Sequence, residues 1–496
     1  MDTTKASSLE VSQPLSEARL DGMLVSSLAW AGSIRWLSQA VSWVATLILA
    51  HLLSLEDYGL VGMATVYFGL IAMMNEFGLG TAVVTLQQLK NEEIAQINSV
   101  AVLLGIGGFA ISCLLAIPLA SFYQAPQLRL VVVIMSVTLV VSAFKTVPYA
   151  VLQKDLQFKK VSLLEGAQGM FQPFVTICFA AWGFGYWALV LGGLLGAAFS
   201  SVSLVWARPF RFAWPRMGKL KETLTFSWQV LVARLSWYVY SNADFVVAGK
   251  VLGQAALGAY TFAWTLANVP VDKISSVVIR TTPAFFAACQ DDMAGLRRYL
   301  LKTTEGLALI TAPIALGIAL VANDFVPVVL GEKWNPMILP LQILSLHVSL
   351  RAIAPLIAVI LTVTHKSRFL MYTSLAGAAV LPLFFYLGSH WGTAGLAAAW
   401  LIGLPLVSFP NYWVAFKTIK LSWYQYLKSL SPTLTGSAAM IAIVLVVQTA
   451  LRHNSPAAAR LTLSVLSGGL TYAGMLWVCH RGRVLSFLEL ARSLRS

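Results

Sequence analysis

Apolar segments of about 20 residues recur along almost the whole chain, and no other sequence feature constrains the fold as strongly. A helix needs about this length to cross the hydrocarbon core of a bilayer. Inside hydrocarbon the backbone must satisfy its own hydrogen bonds, so each segment is expected to be an α-helix. Windows of about 19 residues place fourteen spans near residues 24–50, 58–80, 95–120, 130–151, 162–181, 187–206, 223–247, 257–279, 303–323, 338–362, 369–387, 394–414, 432–450 and 461–479.

Composition excludes a sizeable soluble domain. Of the 496 residues, 58% are hydrophobic and 11% are charged, whereas soluble domains carry roughly 25% charged residues. The sequence therefore predicts an all-α polytopic membrane protein. The first 22 residues lack the pattern of a signal peptide, so the first span is expected to stay in the protein. The four cysteines show no CxxC spacing, and neither a disulfide nor a metal site is expected.

Basic residues fall on alternate loops between the predicted spans. If the N-terminus is cytoplasmic, 24 of the 34 Lys and Arg residues lie in cytoplasmic segments, and five lie in outer loops. Cytoplasmic loops carry such an excess, so both termini are predicted to be cytoplasmic. Orientation thereby explains most of the net charge of +14 without any nucleic-acid partner.

Five further cations lie within the predicted spans. Arg35, Arg234 and Arg351 are near mid-depth, where each opposes insertion by about 2.5–3.5 kcal/mol. They are expected to face protein or water, either in a hydrated cavity that receives an anion or in a structural network with the few acidic residues. Lys145 and Lys273 lie about six residues from the cytoplasmic ends, where a lysine can also reach the headgroups.

Four spans carry polar stripes at helical spacing. The stripes are Arg35, Ser38, Gln39 and Ser42; Glu165, Gln168 and Gln172; Ser227, Arg234, Trp237, Tyr238 and Ser241; and Trp264, Asn268 and Asp272. One stripe alone more often joins two helices, but four stripes together indicate a large wet interior. Asp272 is expected to be neutralised by the adjacent Lys273.

The chain also shows signs of duplication. An offset of 199 relates Arg35 to Arg234 and Gly59 to Gly258, which predicts two pseudo-symmetric six-helix lobes in the same orientation, followed by a helix pair. Pro148 and Pro355, near intramembrane cations, are predicted hinges. The expected organisation is a cytoplasmic tail (1–22), an N-lobe (23–206), a basic cytoplasmic linker (207–222), a C-lobe (223–414), two appended spans (415–480) and a basic cytoplasmic tail (481–496).

Four short motifs in the first half of the chain resemble a known family. They are Leu53–Gly59, Asn75–Ala82, Leu152–Lys160 and Gly185–Val190. Together they resemble the polysaccharide-transporter branch of the MOP superfamily, the Wzx-type oligosaccharide flippases, and most closely exporters of the colanic-acid or xanthan type. Family members commonly have twelve spans, and fourteen are found in the lipid II flippases of the same superfamily.

The resemblance implies a fold, a substrate and a location. Two lobes would alternate between inward-facing and outward-facing states in the bacterial inner membrane. The implied cargo is an oligosaccharide repeat unit on undecaprenyl diphosphate, moved to the periplasmic leaflet for exopolysaccharide or O-antigen assembly. A polysaccharide polymerase and export machinery would be partners.

The residues and the resemblance together give expected roles. The arginines Arg35, Arg234 and Arg351, with Lys145 and Lys273, would bind the diphosphate. Sugar would contact Gln39, Ser42, Gln168, Gln172, Trp237 and Tyr238. No cofactor is expected, and a proton or sodium gradient would act through Glu76, Asp244 or Asp272.

Two alternatives remain at the level of sequence. A multidrug or cation antiporter of the same superfamily should carry acidic residues deep in its first spans, whereas the first span holds an arginine. A membrane polymerase or glycosyltransferase should carry catalytic groups on a long outer loop. The outer loops run to only about fifteen residues, so no catalytic residue and no enzymatic activity are expected.

Overall fold

A computed structural model describes residues 34, 37–76, 78–86, 89–215, 235, 238–239, 241–290, 292–452 and 455–483. All regular secondary structure in these residues is helical. The α-helices are α1 (Leu37–Leu52), α2 (Leu55–Glu76), α3 (Leu79–Thr85), α4 (Asn91–Tyr123), α5 (Leu128–Lys154), α6 (Phe158–Ala181), α7 (Tyr186–Ala207), α8 (Ala243–Val247), α9 (Gln254–Ala288), α10 (Met293–Phe325), α11 (Ile338–Arg351), α12 (Ala354–Val363), α13 (Ser367–Ser389), α14 (Gly392–Ile419), α15 (Trp423–Ser429), α16 (Ser431–Leu451) and α17 (Ala457–Cys479).

Where the predicted spans fall on described residues, they overlap these helices. Most of the seventh span (223–247) lies outside the described residues. Ten helical stretches of the described chain are long and apolar enough to cross a membrane. The long helices α6 and α9 are not among the ten. Both carry predicted polar stripes, which lower their mean hydropathy and indicate that one side of each faces a polar space.

Helices α2 and α9 cross at glycines related by the predicted offset of 199. A Cβ atom built on Gly59 would lie 1.9 Å from the carbonyl oxygen of Gln254, and one built on Gly258 would lie 1.9 Å from that of Leu55. Gln254 is itself 199 residues beyond Leu55. The crossing is therefore the same contact made twice, and it requires glycine on both helices because any side chain would meet backbone.

The helix ends around this crossing are tied together on one face of the molecule, here called the closed face. Lys333 Nζ donates hydrogen bonds to the carbonyl oxygens of His51 and Leu53, both at 2.8 Å. The buried Trp334 donates from Nε1 to the carbonyl oxygen of Ala50 at 2.9 Å. These bonds satisfy carbonyl groups at the end of α1, which would otherwise be left without helical partners.

Two of the family-like motifs meet at the closed face. Asp57, in the motif Leu53–Gly59, accepts from the backbone N–H of Ser54 at 2.9 Å and from that of Tyr186 at 2.8 Å. Tyr186 belongs to the motif Gly185–Val190. The motifs therefore have a structural role, since one carboxylate fixes the starts of both α2 and α7.

The opposite ends of the helices form the basic face. There Arg208, at the end of α7, bonds Asp155 at 3.1 Å, and Arg483, beyond α17, bonds Glu305 at 3.0 Å. The described part of the predicted linker (207–215) lies here as well, where Ala213 donates its backbone N–H to Ser99 on α4 at 3.1 Å. The described Lys and Arg residues that were predicted to be cytoplasmic lie at these helix ends.

The predicted tenth span is broken into α11 and α12. The break covers residues 352–353, and Pro355 lies in the first turn of α12. Proline has no N–H and clashes with the carbonyl four residues earlier, which here belongs to Arg351. By contrast, Pro148 lies inside the continuous helix α5.

The last two helices, α16 and α17, pack against α10. Gln448 on α16 donates to the carbonyl oxygen of Leu320 at 2.9 Å, and Tyr472 on α17 donates to that of Leu309 at 2.8 Å. Near the closed face, Arg460 Nε donates to the buried Asp324 at 2.9 Å. The pair is thus fastened to α10 along its length.

The Arg460–Asp324 pair is expected to be the strongest of these fastenings. Asp324→Asn should lower the free energy of unfolding by about 2 kcal/mol, because it leaves a cation beside a mostly buried site without its counter-charge. Thermal unfolding of the purified protein in detergent measures this. Asp155→Asn removes an exposed ion pair and should change stability by less than about 1 kcal/mol; equal losses in both variants would contradict the expectation.

Candidate functional site

The polar stripes of α1 and α6 and one cation of α9 surround a cavity of about 350 Å³, here called the central cavity. Gly166 and Gly169 let α1 and α6 approach closely, since Cβ atoms there would lie 2.2 Å from Ile34 Cγ2 and 3.2 Å from Ser38 Cβ. The predicted site residues on its wall are Gln39, Ser42, Gln172 and Lys273. A single cavity thus joins residues more than 230 positions apart in the chain.

A second, larger cavity of about 570 Å³ lies among α2, α3, α5, α6 and α7 and is here called the N-terminal cavity. Lys145 Nζ donates to Ser200 Oγ on α7 at 3.3 Å. Tyr149 OH donates to Glu165 Oε1 at 2.7 Å. The predicted residues Glu76 and Gln168 also line this cavity. Lys145 therefore has a partner inside the protein, on α7.

Glu165 lines both cavities. It lies on α6 one turn before Gln168 and two turns before Gln172, so the predicted stripe of α6 forms the wall shared by the two spaces. The bond from Tyr149 occupies one carboxylate oxygen of Glu165. The other lone pairs of the carboxylate remain available to the cavities.

Arg351 is held by the polar stripe of α9. It donates to Asn268 Oδ1, its Nη2 lies 3.6 Å from Asp272 Oδ1, and its guanidinium carbon lies 5.8 Å from the Trp264 ring centroid. The expected local pairing of Asp272 with Lys273 is replaced by this contact. Consecutive helical residues point about 100° apart, so Asp272 turns towards α11 while Lys273 turns towards the central cavity.

Two other predicted site residues lie in packed regions. Asp244 is fully buried, and its Oδ2 accepts from Tyr260 OH at 2.8 Å and from Trp400 Nε1 at 2.7 Å. Tyr238 donates its hydroxyl to the carbonyl oxygen of Val66 on α2 at 2.9 Å. The expected role of Tyr238 in sugar contact is thus joined by a structural one, because its hydroxyl bonds the α2 backbone.

The remaining predicted residues, Arg35, Arg234 and Trp237, lie outside the described residues. Sequence reasoning missed Tyr149 and Ser200 beside Lys145. Tyr149 follows Lys145 by four residues, and that spacing was a usable signal. Ser200 lies on another helix and gave no signal in the sequence. Within the described chain, no group of three or more His, Cys, Asp or Glu side chains could hold a metal ion.

Comparison with known sequences decides the family. The family model described as polysaccharide biosynthesis protein matches residues 48–339, more than half of the chain. The chain belongs to this family. One relative is the succinoglycan biosynthesis transport protein ExoT of Rhizobium meliloti (strain 1021), 24% identical over 468 residues, which cover 91% of this chain and 92% of ExoT. Another is the lipopolysaccharide biosynthesis protein WzxC of Escherichia coli (strain K12), 25% identical, with 82% of this chain and 84% of WzxC covered.

Solved structures show the fold of this family member. The lipid II flippase MurJ, in an inward closed conformation, matches with a TM-score of 0.71 and 12% identity, over 92% of this chain and 99% of MurJ. A multidrug resistance MATE family transporter of the MOP superfamily, in an inward-facing conformation, matches with a TM-score of 0.61 and 16% identity, over 77% and 94%. The chain is therefore a multi-pass membrane protein with the fold shared by MurJ and the MATE transporter.

Proposed function

We propose that this protein is a flippase that moves oligosaccharide repeat units, linked to undecaprenyl diphosphate, from the cytoplasmic to the periplasmic leaflet. The product would feed exopolysaccharide or O-antigen assembly. The observation that carries the proposal is the central cavity, where Gln39, Ser42 and Gln172 accompany Lys273. Amides and hydroxyls match the hydrogen-bonding groups of sugars, and an ammonium group matches phosphate.

The family and the fold support the same function. A diphosphate diester carries about two negative charges, and hydrocarbon does not admit them without compensation. The lipid tail would remain in the bilayer while the headgroup crosses in the cavity. Arg35 belongs to the same predicted stripe as Gln39 and Ser42, which line the cavity, and we assign Arg35 and Arg234 to the phosphate together with Lys273.

Alternating access is the proposed mechanism, with fourteen spans arranged as two six-helix lobes (23–206 and 223–414) and an appended pair (415–480). Contacts of Lys333 and Trp334 support a structure shut at the closed face. The central cavity lies beside the first half of α6, whose N-terminus belongs to the basic face. The excess of basic residues favours a cytoplasmic location for that face and for both termini, in the inner membrane.

A proton or sodium gradient is the proposed energy source. Glu76 lines the N-terminal cavity. Asp272 pairs with Arg351, and the buried Asp244 joins α8 to α14 through Trp400. Binding of a cation at any of these carboxylates would weaken the bonds it makes and so favour a different packing of the helices.

Reconstitution in liposomes tests the proposed function. A fluorescent polyprenyl-diphosphate sugar in one leaflet should cross to the other faster than in protein-free liposomes, and a fluorescent phosphatidylcholine should not. The assay is run with an imposed proton gradient, with a sodium gradient and with neither. Equal movement of both lipids would indicate a non-selective scramblase, and uptake of a cationic dye without lipid movement would indicate an antiporter; either result would overturn the proposal.

A further inference from the structure

A pocket of about 610 Å³ lies on the basic face, away from both cavities, where α10, α15 and the residues after α17 meet. We call it the basic pocket. The residues that matter for the argument are Arg297, Arg298, Lys302, Glu305, Lys428 and Arg483. They come from three separate parts of the chain that only the fold brings together; the five cations lie in predicted cytoplasmic segments, and Glu305 lies at the edge of the predicted span 303–323.

Helical geometry explains why these charges converge. Arg298, Lys302 and Glu305 follow one another at steps of four and three residues, so they share one face of α10. Lys428 lies on the last turn of α15. Arg483 closes the pocket, with Nη1 bonded to Glu305 at 3.0 Å and 3.5 Å from the carbonyl oxygen of Lys428.

The pocket carries a large excess of positive charge. Five cations face one carboxylate, and that carboxylate already accepts a bond from Arg483. In the described part of the chain, Arg298, Lys302 and Lys428 form no ion pair within 4.0 Å. Arg298 lies beside the ring of Tyr299, and Lys428 lies beside the ring of Tyr424. Cations gathered at this density repel one another unless an anion lies between them.

The exposed side chains of the neighbouring helix α15 favour a position of the pocket at the membrane surface. Its buried side chains are Tyr426 and Ser429, whereas Trp423, Tyr424 and Leu427 are exposed, with 40%, 71% and 55% of their surfaces accessible. Exposed aromatic residues beside spanning helices prefer the interface between hydrocarbon and headgroups. A short amphipathic helix of this kind favours the interface, which would hold Lys428 at the depth of lipid phosphates.

We propose that the basic pocket binds the phosphate headgroup of an anionic phospholipid from the surrounding bilayer, with the chemistry of phosphatidylglycerol. Basic pockets beside spanning helices on the cytoplasmic side of a membrane suit such headgroups, and the excess of basic residues favours that side for the basic face. A bound headgroup would bridge α10 to α15 and to the end of α17, and would fasten the C-terminal helices at the face opposite the Arg460–Asp324 pair. This site is separate from the transport substrate and stands whether or not the protein is a flippase.

The test uses the purified full-length protein in detergent, titrated with phosphatidylglycerol or with phosphatidylcholine. Phosphatidylglycerol should raise the melting temperature, and native mass spectrometry should show it retained on the protein; phosphatidylcholine should do neither. The triple variant Arg298→Gln/Lys302→Gln/Lys428→Gln should bind phosphatidylglycerol at least about tenfold more weakly. It leaves the Arg483–Glu305 bond in place, so folding is preserved.

A matched triple variant, Arg368→Gln/Lys417→Gln/Lys420→Gln, removes the same charge from positions on the basic face outside the pocket. It should bind phosphatidylglycerol as the unmodified protein does. Equal loss in both triple variants would show general attraction to the surface and overturn the proposal. Displacement of the lipid by soluble pyrophosphate, or by an acidic peptide such as polyglutamate, would assign the pocket to a soluble anion or a protein and would also overturn it.

Discussion

Gly258→Val is expected to lower the free energy of unfolding by more than about 3 kcal/mol and to remove most transport activity. The valine Cβ would lie 1.9 Å from the carbonyl oxygen of Leu55, and 3.0 Å from the backbone nitrogen of Gly59. Both atoms belong to the backbone, so no rotamer change relieves the overlap and α2 and α9 must move apart. Thermal unfolding in detergent, together with the yield of folded protein, measures the loss.

Two further glycines sharpen this prediction. Gly59→Val introduces the equivalent overlap on the other side of the crossing and should match Gly258→Val. Gly107 lies inside α4, and a Cβ atom added there would meet nothing within 4 Å, so Gly107→Val should change stability by less than about 1 kcal/mol. A Gly258→Val protein with the same melting temperature as the unmodified protein would show that the crossing is not tightly packed.

Lys273→Gln is expected to slow translocation of the polyprenyl-diphosphate sugar by about 10-fold to 100-fold, which corresponds to the about 1.5–3 kcal/mol of a hydrogen bond to a charged group. Glutamine keeps the polar character and approximate length of the side chain but removes the charge that would face the diphosphate. The rate is measured in liposomes that contain equal amounts of correctly inserted protein.

Two control variants distinguish a specific phosphate-binding role of Lys273 from a general effect of positive charge. Lys160→Gln removes an exposed cation near the start of α6 on the basic face and should leave the rate unchanged. Lys273→Arg keeps the positive charge and should retain most of the translocation rate. Translocation by Lys273→Gln at the unmodified rate would remove Lys273 from the proposed phosphate site.

Much of the fold was predictable because hydrocarbon imposes simple rules. Helix length and loop charge follow from the bilayer, so the apolar windows found the long helices of the described chain, whereas the short helices α3 and α15 and the break between α11 and α12 were not found. The offset of 199 also held at the α2–α9 crossing, where Leu55 and Gln254 occupy equivalent places. The 3₁₀ helix Glu332–Met337, which carries Lys333 and Trp334, was not predictable, since its partners at the end of α1 lie 280 or more residues away.

The sequence predicts which candidate site residues share a helix face, but it does not predict which residues of other helices they contact. The residues grouped by spacing along α1 and α6, Gln39 with Ser42 and Glu165 with Gln172, line one cavity, whereas Gln168 of the α6 stripe lines the N-terminal cavity. Spacing within α9 could not show that Asp272 turns towards Arg351, because that contact depends on how α9 and α11 are packed. Charges within one helix follow from the sequence, whereas charge pairs between helices depend on how the helices pack.

The doubled contact between α2 and α9 bears on the origin of the chain. Each half offers the same patch to the other, with residue 55 against residue 258 and residue 254 against residue 59. A self-complementary patch of this kind is what a twofold homodimer uses. The two halves thus keep, within one chain, the geometry of a twofold homodimer interface, which is the arrangement expected of a duplicated half-length unit.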